Sequence, residues 1–348
     1  MRILITDDSA FMRLAIGRTL AEQPDFEIVG RACDGREAVR LAKELRPDVI
    51  TMDIEMPEMD GLTALRRIMR EAPTQVLMCS TLTTEGSYQS LQALRLGAAD
   101  VIPKQLSADP QVKQRFLDDL VRRVRGLGES NRHKQQSSDV APAVSDALPE
   151  IDASRMEMVC IASSTGGPPV LETLLPSLPA TLHIPVVVGQ HMPRLFTESM
   201  SRRLNDICPL PVIHAENGME LEAGKVYIAP GETHTHIERV SLAKCGLRMS
   251  DEPRESLYKP SADVLFETAA KVCQQRVLGI ILTGIGDDGL KGARALHECG
   301  APLLAQDRYS CVVYGMPRVV AEAGYATASL TPDDIAKTLS GLTARAAA

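Results

Sequence analysis

Short apolar runs alternate with helix-length amphipathic stretches along both halves of the chain, and that alternation leaves few folds open. In the first half the runs are Ile3–Ile5, Phe26–Gly30, Val49–Met52, Val76–Cys79 and Val101–Ile102, each followed by a helical pattern. The first of these helical stretches has Ser9 as its cap and Met12, Ala15, Ile16 and Leu20 on one face. β/α units of this length close as a parallel sheet with helices on both sides. Further runs follow at Met158–Ile161, Pro185–Gly189, Lys225–Ile228, Val277–Leu282 and Pro302–Ala305, with helical patterns over 194–205, 261–273 and 288–299. The expected class is α/β throughout: a (βα)5 domain over residues 1–125, and a doubly wound, mostly parallel domain over 154–348.

Between them, residues 126–153 contain no aromatic residue and little periodicity, which is the composition of a flexible linker. Val212–Met249 is less regular and reads as a hairpin region, with turns at Asn217–Gly218 and Pro230–Gly231. A net charge of −7 argues against a long phosphate-backbone contact, so no nucleic-acid partner is expected. The eight cysteines are scattered singly with no C-x-x-C spacing, so buried reduced thiols are expected rather than a zinc site or disulfide framework. No run is long enough to span a bilayer, and Met-Arg-Ile-Leu-Ile-Thr-Asp-Asp turns acidic too early for a signal peptide. A cytoplasmic chain, not embedded in a membrane, is the expectation.

Active groups of a parallel sheet gather beyond the carboxyl ends of its strands. In the first domain those ends carry Asp7 and Asp8, Asp53, Ser80 and Lys104. Three carboxylates repel one another unless a hard cation such as Mg²⁺ shares them, and a lysine and a hydroxyl beside them suit phosphoryl oxygens. Thr-Asp-Asp-Ser at 6–9, Met-Asp-Ile-Glu-Met-Pro at 52–57 and Asp60-Gly61 make this segment similar to a two-component receiver domain, whose fold is flavodoxin-like. The resemblance implies that Asp53 accepts phosphate from a histidine kinase, that Asp7 and Asp8 join it in binding Mg²⁺, and that Ser80 and Lys104 sense the phosphoryl group. One departure is Gln105, which follows Lys104 where receivers commonly have proline.

In the second domain, Met158–Ile161 ends in Ala162-Ser-Ser-Thr-Gly-Gly167, and Pro168-Pro169 with Val170, Leu171, Leu174 and Leu175 begin a helix. A serine at such a strand-to-helix turn is a candidate nucleophile beside the N–H groups of the helix, although a capping serine or phosphate-cradling turn has the same local pattern. His191 and Asp287-Asp288 follow two other strands on the same expected edge, so a serine, a base and an orienting carboxylate could meet there. His234 and His236 compete as bases. Gly284-Ile-Gly-Asp-Asp-Gly289 satisfies G-x-G-x-x-G, but Asp287 and Asp288 would repel a pyrophosphate, so the glycines are read as a tight turn that projects a carboxylate.

Ala162–Gly167, Gln190-His-Met-Pro193, Tyr227-Ile-Ala-Pro-Gly231, Leu282–Gly289 and the stretch from Ala305-Gln-Asp to Val-Tyr-Gly-Met-Pro317 together resemble the chemotaxis protein-glutamate methylesterases. The resemblance implies Ser164 as nucleophile, His191 as its base and Asp288 as the residue that orients the histidine. It further implies backbone support of an oxyanion near Thr165 and Ile285, methyl-accepting chemoreceptors as substrates, deamidation of receptor glutamines, and an unphosphorylated receiver that blocks the site. No metal or organic cofactor is expected for the ester chemistry. Ile285 stands where the family usually has methionine, and Tyr258-Lys259 where His-Arg is expected before Pro-Ser. A DNA-binding output domain and a noncatalytic phosphorylation-dependent module are the other classes open to a receiver-led chain.

Overall fold

The computed structural model describes residues 1–81, 83–104, 109–136, 151–242 and 244–342. The chain divides into two compact units, Met1–Ala141 and Pro142–Ala348. Among the described residues no helix is long and apolar enough to cross a membrane.

In chain order the first unit contains β1 (Arg2–Thr6), α1 (Ala10–Ala21), β2 (Glu27–Ala32), α2 (Gly35–Leu45), β3 (Val49–Asp53), α3 (Gly61–Glu71), β4 (Gln75–Thr81), α4 (Thr84–Arg95), β5 (Asp100–Lys104) and α5 (Pro110–Gln136). The five strands form one parallel sheet in the order β2-β1-β3-β4-β5. Ile3, Leu4, Ile5, Val49, Ile50, Met52, Val76, Leu77 and Met78 are wholly inaccessible, the continuous apolar signature of strands covered on both faces. Ser9 caps α1 by accepting from Met12 N, and Met12, Ile16 and Leu20 turn inward as their spacing requires.

The linker reading of 126–153 is corrected at its start, because α5 continues to Gln136. Phe116, Leu120, Val124 and Leu127 form one buried stripe at helical spacing. Gly128 does not break the helix; a Cβ there would meet the Met1 side chain at 2.4 Å. Close approach, rather than flexibility, accounts for this glycine. Residues 137–150 of the expected linker lie outside the described residues, and Ala153–Arg155 is a 3₁₀ turn.

The second unit follows with β6 (Met158–Ser163), α6 (Gly167–Leu174), β7 (Val186–Gln190), α7 (Arg194–Ile207), β8 (Val212–His214), β9 (Val226–Ile228), β10 (His234–Arg239), β11 (Cys245–Ser250), α8 (Ala262–Cys273), β12 (Val277–Ile281), α9 (Leu290–Glu298), β13 (Leu303–Gln306), α10 (Met316–Glu322), β14 (Ala328–Leu330) and α11 (Pro332–Ser340). Seven strands form a parallel sheet in the order β14-β13-β12-β6-β7-β9-β8. The expected hairpin region resolves into two things. β10 and β11 pair antiparallel, with an isolated antiparallel bridge from Glu220 to Gly246, whereas β8 is a three-residue parallel edge strand, too short to show a period.

The first strand of this unit, β6, lies mid-sheet with β7 on one side and β12 on the other. That reversal of direction makes the carboxyl ends of these three strands the natural crevice. Beneath them, α8 packs Leu265, Phe266 and Ala269 in one core with Cys160, Ala162, Ile281 and Leu296. Burying Phe266 alone contributes about 1.5–3 kcal/mol. α8 and α9 approach closely because Gly292 has no side chain; a Cβ there would lie 2.6 Å from Phe266 Cβ and 2.9 Å from Asp263 O. Gly292→Ala should therefore destabilise the second unit by about 1–2 kcal/mol net, despite alanine's better helix propensity. Chemical denaturation checks this, and a stabilised variant would mean that the two helices part freely.

Candidate active site

Every residue of β6 is buried, so the strand's end is held rigidly before the chain turns. Three contacts then fix the backbone of Ser164. Its N–H donates to Thr283 O (3.0 Å), its carbonyl accepts from Gln190 Nε2 (2.9 Å), and Gly167 N–H closes the turn onto the same carbonyl (2.8 Å). Ser163 Oγ donates to Gln190 Oε1 at 2.6 Å, tying the ends of β6 and β7 together. Ser163 pairs with Gln190 in the parallel ladder, so Ser164 and His191 are the next residues on adjacent strands. His191 N–H donates to Ser163 O at 3.0 Å.

His191 Nε2 lies 2.8 Å from Asp288 Oδ2, and both side chains are buried. Asp288 is further held by the start of α8. Oδ1 accepts from Ser261 Oγ (2.8 Å) and Asp263 N (3.1 Å), and Oδ2 accepts from Ala262 N (2.7 Å). A carboxylate at a helix N-terminus meets unpaired N–H groups and the positive end of the helix dipole. Burial works to raise the Asp288 pKa, but the His191 hydrogen bond, with the Ala262 and Asp263 N–H groups, leaves it below its ordinary value. Asp288 is thus an ionised acceptor near neutrality, and Nε2 carries the proton between them. His191 Nδ1 is buried without a hydrogen-bond partner. The nitrogen able to accept a proton is therefore Nδ1, on the side of the ring away from the carboxylate.

Ser164, His191 and Asp288 are 4%, 5% and 7% exposed, and all three lie beyond the carboxyl ends of neighbouring strands. Of the two adjacent aspartates, Asp287 faces solvent while Asp288 turns inward. The dinucleotide reading of 284–289 fails for a second reason besides charge: Asp263 Oδ1 already accepts from Gly289 N and Gly292 N, each at 2.9 Å, at the start of α9. His234 is no rival base, because its Nε2 pairs with Pro253 O (3.1 Å) and its Nδ1 accepts from Ser261 N (3.3 Å). His236 lies in the same strand, β10, which belongs to the separate two-stranded sheet. Thr165 and Ile285 are buried in the two turns that flank Ser164, the second beginning at Gly284, where an added Cβ would come 2.8 Å from Ser164 Cβ.

Sequence reading treated Ser261 only as the cap of α8. It is that cap, accepting from Val264 N, and its hydroxyl also holds Asp288. Asp263, the Ser163–Gln190 bond and the stacking of Tyr258 on His191 were missed, since no local spacing marks contacts between residues so distant in the chain.

In the first unit, Lys104 Nζ bridges Asp7 Oδ2 (2.8 Å) and Asp53 Oδ2 (2.6 Å) at the strand ends. Burial raises the Asp53 pKa above its ordinary range, against the pull of Lys104 and helped by Asp7. Burial would lower that of Lys104, but the two carboxylates outweigh it and hold the ammonium charged. Carboxylate oxygens of Asp7, Asp8 and Asp53 lie within 4.8 Å of one another. Such a cluster of hard donors, with Asp8 open to water, fits Mg²⁺. Ser80 is buried on β4, but its Oγ donates to Gly86 O (3.1 Å) in α4 rather than joining the carboxylates. Gln105 lies outside the described residues.

Comparison with known proteins bears on both units. The family described as CheB methylesterase matches residues 159–339, and the response regulator receiver domain matches residues 3–115. The chain belongs to the CheB methylesterase family. It is 40% identical over 363 residues to a protein-glutamate methylesterase/protein-glutamine glutaminase of Oleidesulfovibrio alaskensis, with 97% of this chain and 98% of the relative covered. A protein of the same name from Thermotoga maritima is 40% identical over 326 residues, covering 94% of each chain. The crystal structure of the Thermotoga maritima CheB methylesterase catalytic domain matches with a TM-score of 0.52 and 38% identity, over 54% of this chain and 99% of that one.

Asp263 supplies a pH test of this CheB-family site. Burial and the nearby Asp288 raise its pKa from 3.8 to about 6, against the Gly292 and Gly289 N–H groups. Because the folded value lies above the unfolded one, its contribution to stability is complete below 3.8 and is lost as pH rises through about 6. Unfolding free energy of the second unit should fall over about pH 4–6, and Asp263→Asn should flatten that slope. Identical slopes in the two proteins would show that Asp263 does not titrate there.

Proposed function

We propose that the chain is a phosphorylation-activated hydrolase that removes methyl groups from glutamyl methyl esters of methyl-accepting chemoreceptors and deamidates receptor glutamines. Support comes from membership of the CheB family over both units, and above all from a buried imidazole bonded to Asp288 through Nε2 while Nδ1 has no partner.

In this mechanism Ser164 Oγ attacks the ester carbonyl as His191 Nδ1 takes its proton, and the Asp288 carboxylate steadies the imidazolium. The negative charge on the carbonyl oxygen is met by backbone N–H groups at Thr165 and Ile285, a class of donor worth about 3–4 kcal/mol apiece. His191 returns its proton to the departing methoxide, methanol leaves, and an acyl-enzyme remains. Water, deprotonated by the same imidazole, attacks the acyl carbon and releases the glutamate side chain and the Ser164 hydroxyl. With a glutamine substrate ammonia leaves in place of methanol. The histidine is reversed relative to the serine-protease template, in which Nε2 faces the serine and Nδ1 the aspartate.

Control rests on Asp53 as the phosphoacceptor, with a histidine kinase as donor. Asp7, Asp8 and Asp53 would hold Mg²⁺, whose positive charge would offset the negative charge of the phosphoryl oxygens. Lys104 is already placed at Asp53 to meet the added charge. Ser80, bonded to the start of α4, is the hydroxyl that phosphorylation would draw away from Gly86 O.

Methanol release from methylated receptor membranes tests both parts. Ser164→Ala should lower the rate by more than about a thousandfold. A small phosphodonor should stimulate the native protein and leave Asp53→Asn unchanged. Release by Ser164→Ala at the native rate contradicts the chemistry; equal stimulation of Asp53→Asn contradicts the control.

A further inference from the structure

His191 is anchored by a single side-chain hydrogen bond, from Nε2 to Asp288. One such bond fixes a point on the ring but leaves the imidazole free to tilt about it. The proton-accepting Nδ1, which has no partner of its own, would swing with that tilt. A second constraint is present on the face of the ring. Tyr258 stacks on His191 with ring centroids 4.5 Å apart and planes 5° from parallel.

We infer that Tyr258 is a positioning residue for the proposed hydrolysis, holding the His191 ring in the plane in which Nδ1 can serve Ser164 and favouring the imidazolium once it forms. The inference rests on the serine-hydrolase reading of this site and goes beyond it. An aromatic ring stacked on imidazole restricts its tilt, and the electron-rich face attracts the charge that appears during proton transfer. The face it covers is also closed to water, so the charge develops where it is weakly screened.

The loop bearing Tyr258 is itself anchored. Lys259 Nζ donates to Asp251 O (3.1 Å), Ser256 Oγ donates to Tyr258 O (3.2 Å), and Glu232 N donates to Lys259 O (3.4 Å). At its far end Tyr258 spans to the turn after β12. The position of a Cβ on Gly286 would be 3.2 Å from the Tyr258 hydroxyl, and Gly286 has a φ of +86° that favours glycine in any case. One side chain thus touches the base and covers the turn that contains Ile285. Its ring, rather than its hydroxyl, makes the stack. Leucine at 258 would fill similar space without supplying an aromatic face.

The test uses the full-length protein as native, Ser164→Ala, Tyr258→Leu and Tyr258→Phe forms, with thermal unfolding recorded for each. Two rates are measured: methanol release from methylated receptor membranes, and covalent labelling of Ser164 by a small fluorophosphonate, which needs the base but not receptor binding. Tyr258→Leu should lower kcat about three- to tenfold with KM unchanged. Labelling should slow by a similar factor, and Tyr258→Phe should recover most of both rates. Two results overturn the inference: native rates in Tyr258→Leu, or a raised KM with unchanged kcat and labelling, which would make Tyr258 a receptor contact. If Tyr258→Leu unfolds at a lower temperature, the Phe variant decides, since loss of both rates in a stably folded Tyr258→Phe assigns the role to the hydroxyl and refutes the stack. Full methanol release by Ser164→Ala would instead remove the hydrolase reading on which the inference stands.

Discussion

A single hydrogen bond between two strand ends organises the second unit: His191 after β7 bonded to Asp288 beyond β12, across the end of β6 that carries Ser164. An isolated carboxylate buried to this degree would be costly. Here the first turn of α8 supplies the Ser261 hydroxyl and the Ala262 and Asp263 N–H groups, so the charge is retained where the imidazole needs it. The close packing of α8 on α9 at Gly292 keeps that helix start beside the turn bearing Asp288.

The first unit solves a related problem with different chemistry. Its strand ends also converge charged side chains in a largely buried place, but the partner is Lys104, shared between Asp7 and Asp53. Asp53 keeps a raised pKa because burial outweighs the lysine. A carboxylate so placed gains from an arriving cation or a covalent change that alters the local charge balance. The sheet edge that carries Ser164, His191 and Asp288 in one unit carries Asp7, Asp53 and Lys104 in the other, because parallel strands deliver polar residues there from an apolar interior.

Much of this was legible from periodicity. Buried strands such as Ile3–Ile5 and Val277–Leu282 announce themselves because both faces are covered, and Ser9 and Ser261 mark helix starts by simple capping chemistry. The edge strands β8 and β14 escaped because each is three residues long and only partly buried, unlike the equally short but fully buried β9. The end of α5 was hidden by Gly126 and Gly128, which look like linker residues until Met1 is seen packed against the second. At the site, position at the strand ends brought forward Ser164, His191 and the pair Asp287-Asp288, and the family resemblance singled out Asp288. It could not show which imidazole nitrogen faces the aspartate, that Asp263 occupies the N–H groups of the apparent dinucleotide loop, or that the Tyr258 departure lies flat on His191. Those facts depend on three-dimensional register, which no local pattern encodes.

The orientation of one ring is the centre of the account, and nitrogen NMR of histidine-labelled protein reads it directly. The His191 signals, assigned by their loss in His191→Gln, should show for the uncharged ring a protonated Nε2 and an unprotonated Nδ1. A protonated Nδ1 with a bare Nε2 would reverse the ring and contradict the assignment of Asp288 and Ser164 to its opposite sides.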